Sequence, residues 1–317
     1  TVTSQQSVQD FFAKARRADV DFVVLEVTSH ALHQGRIMGV PVKIAVITNL
    51  TQEHLDYHGT MEEYAAAKAI LFTKYHPEVS IMNADDEWFR FFQKRAEGRQ
   101  LSYGQSKLAD VRVTNTKLSA NGSSFSVSIV GQKQAMNTKL VGQFNVSNAL
   151  AAVSVGQALS LSPDIIAVGI ANLQAVPGRM EQIDEGQDFD VIVDFAYTPD
   201  ALENVLTSLK AVTKGKIGIV FGATGDRDKT KRGPMGEVVA KLADRIYLTD
   251  DETYTEDPLA IRDAVYEGIK KAKGTHEGCI EQLQRLGHPL LGGLGQRLVL
   301  AQVAGGQRLL GILEQAV

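Results

Sequence analysis

Hydrophobic positions along this chain follow two patterns. Short, nearly unbroken apolar runs recur in both halves: residues 20–27, 44–47 and 79–82, then 190–193, 217–221 and 245–248. Such runs are the form taken by strands of a parallel sheet covered on both faces. Between them lie stretches with helical spacing: 7–17, a helix from about Thr60, 146–159, 163–172, 200–212 and 234–242. A further helix starts at Asp257-Pro258, with proline in its first turn. Residues 111–141 break the pattern. Here apolar and polar residues alternate with period two, and Asn121-Gly122 supplies a turn signal. That predicts an antiparallel meander. The expected fold is therefore α/β: a parallel sheet with a small antiparallel sheet, followed by a second, Rossmann-like α/β domain. Pro177-Gly178 punctuates the chain and marks the boundary. The expected division is 1–176, 177–275 and a tail, 276–317, rich in glycine and leucine around 287–297.

Composition narrows the function classes. With 317 residues there is room for two domains, at about 150 residues each. Net charge is −4, from 33 basic and 37 acidic residues. That balance gives no electrostatic footprint for nucleic acid, so anion binding must be local. The single cysteine, Cys279, excludes an internal disulfide and a cysteine metal site and suits a reducing cytoplasm. No apolar run approaches the ~20 residues of a membrane span, and no signal peptide is visible. The expectation is a cytoplasmic protein, monomeric, with neither nucleic acid nor membrane as partner.

Candidate chemistry concentrates in residues 48–72. A polar loop carrying Glu53, His54, Asp56 and His58 follows the run 44–47. The carboxyl end of a parallel strand is where open α/β sheets place ligands. In the helix beyond it, Lys68 sits among Ala65, Ala66, Ala67 and Ala69. Most lysines are solvated. One that turns inward on a small-residue face must lose its charge or find a partner. His54 and His58 have the i,i+4 spacing of a zinc pair, but no third ligand is apparent and Gly59 interrupts the helix.

These segments resemble the Mur ligases, ATP-dependent amino-acid ligases of peptidoglycan synthesis. The nearest branch is MurE, which adds the third residue to UDP-N-acetylmuramoyl-L-alanyl-D-glutamate. Besides residues 48–72, the resemblance rests on EVTSHALHQGR at 26–36, GQFNVSN at 142–148, PGRME at 177–181, DFAYTP at 194–199 and FGATGDRDKTKR at 221–232. They occur in family order over about residues 1–275.

The resemblance implies chemistry as well as fold. ATP phosphorylates the substrate glutamate to an acyl phosphate, and the amine of a free amino acid displaces phosphate. Catalysis is then mostly positioning and charge neutralisation. Lys68 is the residue that the family carboxylates to a carbamate. With Glu26 and His54 it would hold Mg²⁺. Thr1, Thr28, Gln34 and Arg36 match residues that contact the muramoyl dipeptide, although Val2 replaces a second threonine. Asn148, Arg179 and Asp194 match the ATP site, while Tyr197 stands where histidine is usual. Arg227 matches the residue that binds the carboxylate of the incoming amino acid.

Asp251-Glu-Thr-Tyr254 replaces the D-N-P-R of diaminopimelate-adding members. Losing that arginine beside Asp251 and Glu252 favours a cationic, lysine-like amino acid. The family's P-loop and UDP-holding domain are expected upstream of residue 1, and the fragment alone is expected to be inactive. The alternatives are an inactive fragment of such a ligase, or a folylpolyglutamate- or cyanophycin-type ligase of the same superfamily.

Overall fold

The computed structural model describes residues 4–129, 131–273, 280–282 and 298–302. These form two compact units. The first holds residues up to 114 with 127–134 and 148–166; the second holds 115–126, 135–147 and those from 167 onward.

In the first unit, α1 (Gln5–Arg17) opens with a capping box at Ser4 and Ser7. Next come α2 (Ser29–His33), β1 (Ile44–Ile47), α3 (Leu55–His58), α4 (Met61–Thr73), β2 (Val79–Asn83), α5 (Phe89–Gln93) and β3 (Arg99–Gly104). Strands β4 (Val111–Ser119), β5 (Gly122–Ile129) and β6 (Gln132–Thr138), whose residues are divided between the two units, complete a sheet in simple sequential order, β1 through β6. The pairs β1–β2, β2–β3 and β3–β4 are parallel. Phe72, Phe92, Met82 and Ala45 are buried together with the small-residue face of α4.

The period-two meander appears as β4 to β6, with its last strand ending at Thr138 rather than Leu140. Gly122 is obligatory there. Its φ is +125°, and a Cβ would lie 2.2 Å from the Thr138 carbonyl oxygen.

Residues 20–27 differ from expectation, since they form no strand. Their side chains still alternate as a strand's would. Val23, Leu25 and Val27 are partly buried, whereas Phe22, Val24 and Glu26 are exposed. Leu25 and Val27 pack on Val8, Leu32 and Ile37. Among the described residues, no neighbouring strand supplies the ladder hydrogen bonds that turn an extended segment into a strand.

Helix α6 (Gln143–Ala158) begins three residues before the expected 146. Asn145 is consequently inside the first turn, where it is buried and donates through Nδ2 to the Val141 carbonyl at 2.9 Å. It is no helix cap. Helix α7 (Pro163–Asn172) matches the expected span.

The second unit continues with β7 (Glu181–Ile183), β8 (Val191–Asp194), α8 (Pro199–Val212), β9 (Ile217–Phe221), α9 (Arg232–Leu242), β10 (Arg245–Leu248) and α10 (Pro258–Lys273). β11 (Ile280–Gln282) and β12 (Leu298–Gln302) finish it. The strand order is β11-β10-β9-β12-β8-β7. β9, β10 and β11 run parallel, as a Rossmann-like domain requires. β12 stands antiparallel between β8 and β9. Both β11 and β12 come from the stretch 276–317 expected to be a tail, and its other residues lie outside the described ones. A core of Leu202, Leu206, Ile219, Met235, Val239 and Val265 joins the sheet to its helices.

Candidate functional site

Lys68 is presented by a helix whose start is firmly fixed. Thr60 caps α4, its hydroxyl accepting from Glu63 N at 3.2 Å, and Glu62 and Glu63 complement the dipole of the first turn. Tyr64, Ala65, Ala67 and Ala69 are buried around the turn that carries Lys68, and small side chains let that turn approach the core closely. Lys68 Nζ lies 5.2 Å from the centre of the Tyr64 ring. Desolvation pulls its pKa below the ordinary lysine value; the charges of Glu53, Glu26 and Asp86 oppose that shift. This is the inward-turned amine that the alanine-rich setting suggested, with three carboxylates in its field.

The loop after β1 is tied down by side chains from the end of β2 and beyond. Leu50 N donates to Asp86 Oδ2 at 2.9 Å, and Asn83 Nδ2 donates to the Thr48 carbonyl at 2.9 Å. The loop then delivers Glu53 and His54, whose side chains lie 3.8 Å apart. His54 adopts a left-handed backbone (φ +58°), and its side chain makes no cap bond to α3. Three further imidazoles and two phenols join it in one cluster. The His30 ring centre is 4.7 Å from that of His54 and 4.1 Å from that of Tyr57. His58 stacks on Tyr64 at 5.2 Å and pairs through Nε2 with the Ser29 hydroxyl at 2.9 Å. Burial, and then the neighbouring histidines, press the His58 pKa down to about 4. His58 is thus a neutral packing and hydrogen-bonding residue near neutral pH.

Among the described residues, no three His, Cys, Asp or Glu side chains are gathered to hold a metal ion. The donor chemistry fits Mg²⁺ only if Lys68 supplies oxygen, because Mg²⁺ takes oxygen ligands and a free amine offers none. Of the residues matched to a substrate site, Thr28 caps α2 by accepting from Ala31 N at 3.2 Å. Gln34 and Arg36 are joined, Arg36 Nε donating to Gln34 Oε1 at 2.9 Å. Thr1 lies outside the described residues.

In the second unit, Arg179 and Asp194 come together. Asp194 is buried and accepts from Met180 N at 2.8 Å. Desolvation raises its pKa, while that backbone bond and Arg179 counteract the rise. The Arg179 guanidinium lies 5.3 Å from the centre of the Phe195 ring. Asn148, matched to the same ATP site, is an exposed residue of α6 in the first unit.

Arg227, Asp251 and Tyr254 occupy two loops stitched to each other at the carboxyl ends of β9 and β10. Gly225 N donates to the Glu252 carbonyl at 2.8 Å, and a Cβ on Gly225 would lie 2.0 Å from the Thr253 carbonyl oxygen. The Thr224 hydroxyl donates to Asp251 at 2.7 Å. Arg227 lies over the Tyr254 ring at 5.2 Å.

The anchor of these loops is Glu256. It accepts from Asp226 N at 2.7 Å, pairs with the buried Arg232 through two bonds of 2.8 and 3.0 Å, and meets Lys229 at 2.8 Å. Arg232 and Lys229 hold its pKa down to about 2. Sequence reading passed over Glu256, Asp86, Tyr57 and Tyr64. The acid in Thr-Glu-Asp-Pro just before α10 was the available signal for Glu256.

Residues 1–156 match the family Mur ligase middle domain, and residues 178–289 match Mur ligase, glutamate ligase domain. The chain belongs to the Mur ligase family. Among its relatives is UDP-N-acetylmuramoyl-L-alanyl-D-glutamate–2,6-diaminopimelate ligase of Bacillus velezensis, 43% identical over 278 residues, which are 85% of this chain and 56% of the relative. The enzyme of that name from Syntrophomonas wolfei is 38% identical over 306 residues, or 95% of this chain and 63% of the relative. A solved structure of such a ligase superposes with a TM-score of 0.61 at 30% identity, covering 91% of this chain and 59% of its own. The chain thus spans somewhat more than half the length of these relatives. No described helix is long and apolar enough to cross a membrane.

Proposed function

We propose that this chain carries the amide-forming machinery of an ATP-dependent ligase that adds the third amino acid to UDP-N-acetylmuramoyl-L-alanyl-D-glutamate. The observation that carries the reading is Lys68: a desolvated amine among Glu53, Glu26 and Asp86 in a chain 43% identical to a ligase of that name. Desolvation favours the neutral form of this amine, and the neutral lone pair can add carbon dioxide, releasing a proton and leaving a carbamate. The carbamate supplies the anionic oxygens that the amine lacks. Mg²⁺ held by it with Glu26 and His54 would neutralise phosphate charge. Arg179 and Asp194, with Asn148, would serve ATP. Thr28, Gln34 and Arg36 would serve the nucleotide-linked substrate, and Arg227 and Asp251 the incoming amino acid. Residues 1–176 and 177–275 would be the middle and carboxyl-terminal domains, a division supported by the two family matches.

The amino acid is read from the loop after β10. Tyr254 stands where diaminopimelate-adding members have arginine, with Asp251 and Glu252 beside it. Losing one charged bidentate contact costs about 1.5–3 kcal/mol, or roughly 10- to 150-fold in selectivity. The enzyme is expected to prefer L-lysine to meso-diaminopimelate by that factor. Competition at equal concentration, with products separated by mass, checks this in a protein that also carries the P-loop and UDP-holding domain expected upstream. Predominant diaminopimelate product would overturn the preference, and the absence of any amide product with either would overturn the ligase reading.

A further inference from the structure

Tyr57 was not among the residues expected in the site, yet it is hydrogen-bonded to Gln34 and His33. It sits on α3, three residues past His54, with 40% of its surface exposed. Its ring faces that of His30, with centres 4.1 Å apart and planes 35° apart. Its hydroxyl is the middle of a hydrogen-bond chain. Arg36 Nε donates to Gln34 Oε1 at 2.9 Å, Gln34 Nε2 donates to the Tyr57 hydroxyl at 3.2 Å, and that hydroxyl lies 2.9 Å from His33 Nδ1.

The first donor fixes the direction of the next bond. A guanidinium has no acceptor, so Gln34 must show it the carbonyl and turn the NH₂ group toward Tyr57. The phenol oxygen accepts there, and the same hydroxyl pairs with His33 Nδ1. The two directed bonds, from Arg36 to Gln34 and from Gln34 to Tyr57, polarise each other in the same sense. Arg36 and Gln34 flank Gly35, whose φ is +65°. The local backbone at this turn is therefore held by a residue with no side chain to pack. An arginine there relies on side-chain contacts to fix the plane of its fork, and bidentate recognition of an oxyanion depends on that plane.

We infer that Tyr57 is a positioning residue for oxyanion capture: through Gln34 it sets the plane in which Arg36 meets a carboxylate or phosphate of the nucleotide-linked substrate. This rests on the reading above that Arg36 serves that substrate. Tyr57→Phe is the informative substitution, because it keeps the ring and its contact with His30 while removing the hydroxyl.

The test is calorimetric titration of the chain joined to the UDP-holding domain expected upstream, with UDP-N-acetylmuramoyl-L-alanyl-D-glutamate and with UDP alone. Tyr57→Phe is expected to weaken binding about 10-fold and Arg36→Ala about 100-fold, the scale of one neutral and one charged hydrogen-bonding contact. The double variant is expected to bind no more weakly than Arg36→Ala alone, since Tyr57 acts only through Arg36. Thermal unfolding of Tyr57→Phe should match that of the unaltered chain. A loss shared by UDP identifies phosphate as the captured group; a loss confined to the full substrate identifies a carboxylate. Additive losses, or Tyr57→Phe binding unchanged while Arg36→Ala is weakened, would overturn the relay and leave the site reading standing. Unchanged binding by Arg36→Ala would overturn both.

Discussion

Lys68 in the first unit and Arg232 in the second are both cations drawn out of water, and they are handled in opposite ways. Both terminal nitrogens of Arg232 are engaged, although its buried Nε has no hydrogen-bond partner among the described residues. Two bonds to Glu256 and one to the Thr224 carbonyl take up its fork, and Glu256 also holds Asp226 N and Lys229. Lys68 has three carboxylates in its field, but its closest recorded partner is the face of Tyr64. A geometrically matched acid keeps a buried charge and turns it into architecture. Acids kept at a distance leave desolvation in command, and desolvation favours the neutral amine. One arrangement fixes the two loops after β9 and β10. The other shifts the balance toward the uncharged amine.

The comparison breaks most decisively at Lys68. With the expected upstream P-loop domain restored, Lys68→Ala is expected to abolish ligation in an assay of amide product, with bicarbonate restoring part of it by supplying a small anion. Stability should stay within about 1 kcal/mol of the unaltered chain in urea unfolding, because no close ion pair is lost. Lys68→Glu should retain more activity than Lys68→Ala, since it returns a carboxylate. Full activity of Lys68→Ala at low Mg²⁺ would show that the amine is merely packed.

The reciprocal experiment is Glu256→Gln. It strands the Arg232 charge, and breaking a buried pair from one side costs about 3 kcal/mol. Urea midpoints check this; a change under about 0.5 kcal/mol would mean that Lys229 and solvent already screen the network.

A smaller effect follows with pH. The Glu256 pKa is held down from its ordinary 4.5 to about 2. A carboxylate with a depressed folded pKa stabilises above its unfolded pKa, and that contribution fades as pH falls through the folded value. Glu256 should thus steepen the acid loss of stability between pH 4.5 and about 2, discounted for the part of the side chain that solvent reaches. Comparing acid unfolding of the unaltered chain with Glu256→Gln isolates it; identical slopes would remove Glu256 from the account.

Much of this was legible in the residues. β9, β10 and α7 fall on the spans that periodicity indicated, and Thr60 caps the helix that carries Lys68. Lys68 itself stood out because alanines surround it. The misses share a cause. Residues 20–27 have the apolar content of a central strand, but a strand exists only when another chain segment offers its N–H and C=O groups. Glu256 and Arg232 are 24 residues apart, and Gln34 and Tyr57 are 23 apart. No local pattern joins such pairs.

By itself, the sequence determined the local alternation of elements, the small-residue face around Lys68 and the family to which its motifs belong. Those features are set by periodicity, capping and residue size over a few turns of chain. Tertiary structure alone decided that β12 stands antiparallel between β8 and β9, that Arg232 is neutralised while Lys68 is not, and that Tyr57 reaches Gln34. Each of these depends on distances between groups remote in sequence. Both hydrogen bonding and the strength of a charge in a low-dielectric setting turn on a few tenths of an ångström to a few ångströms of separation.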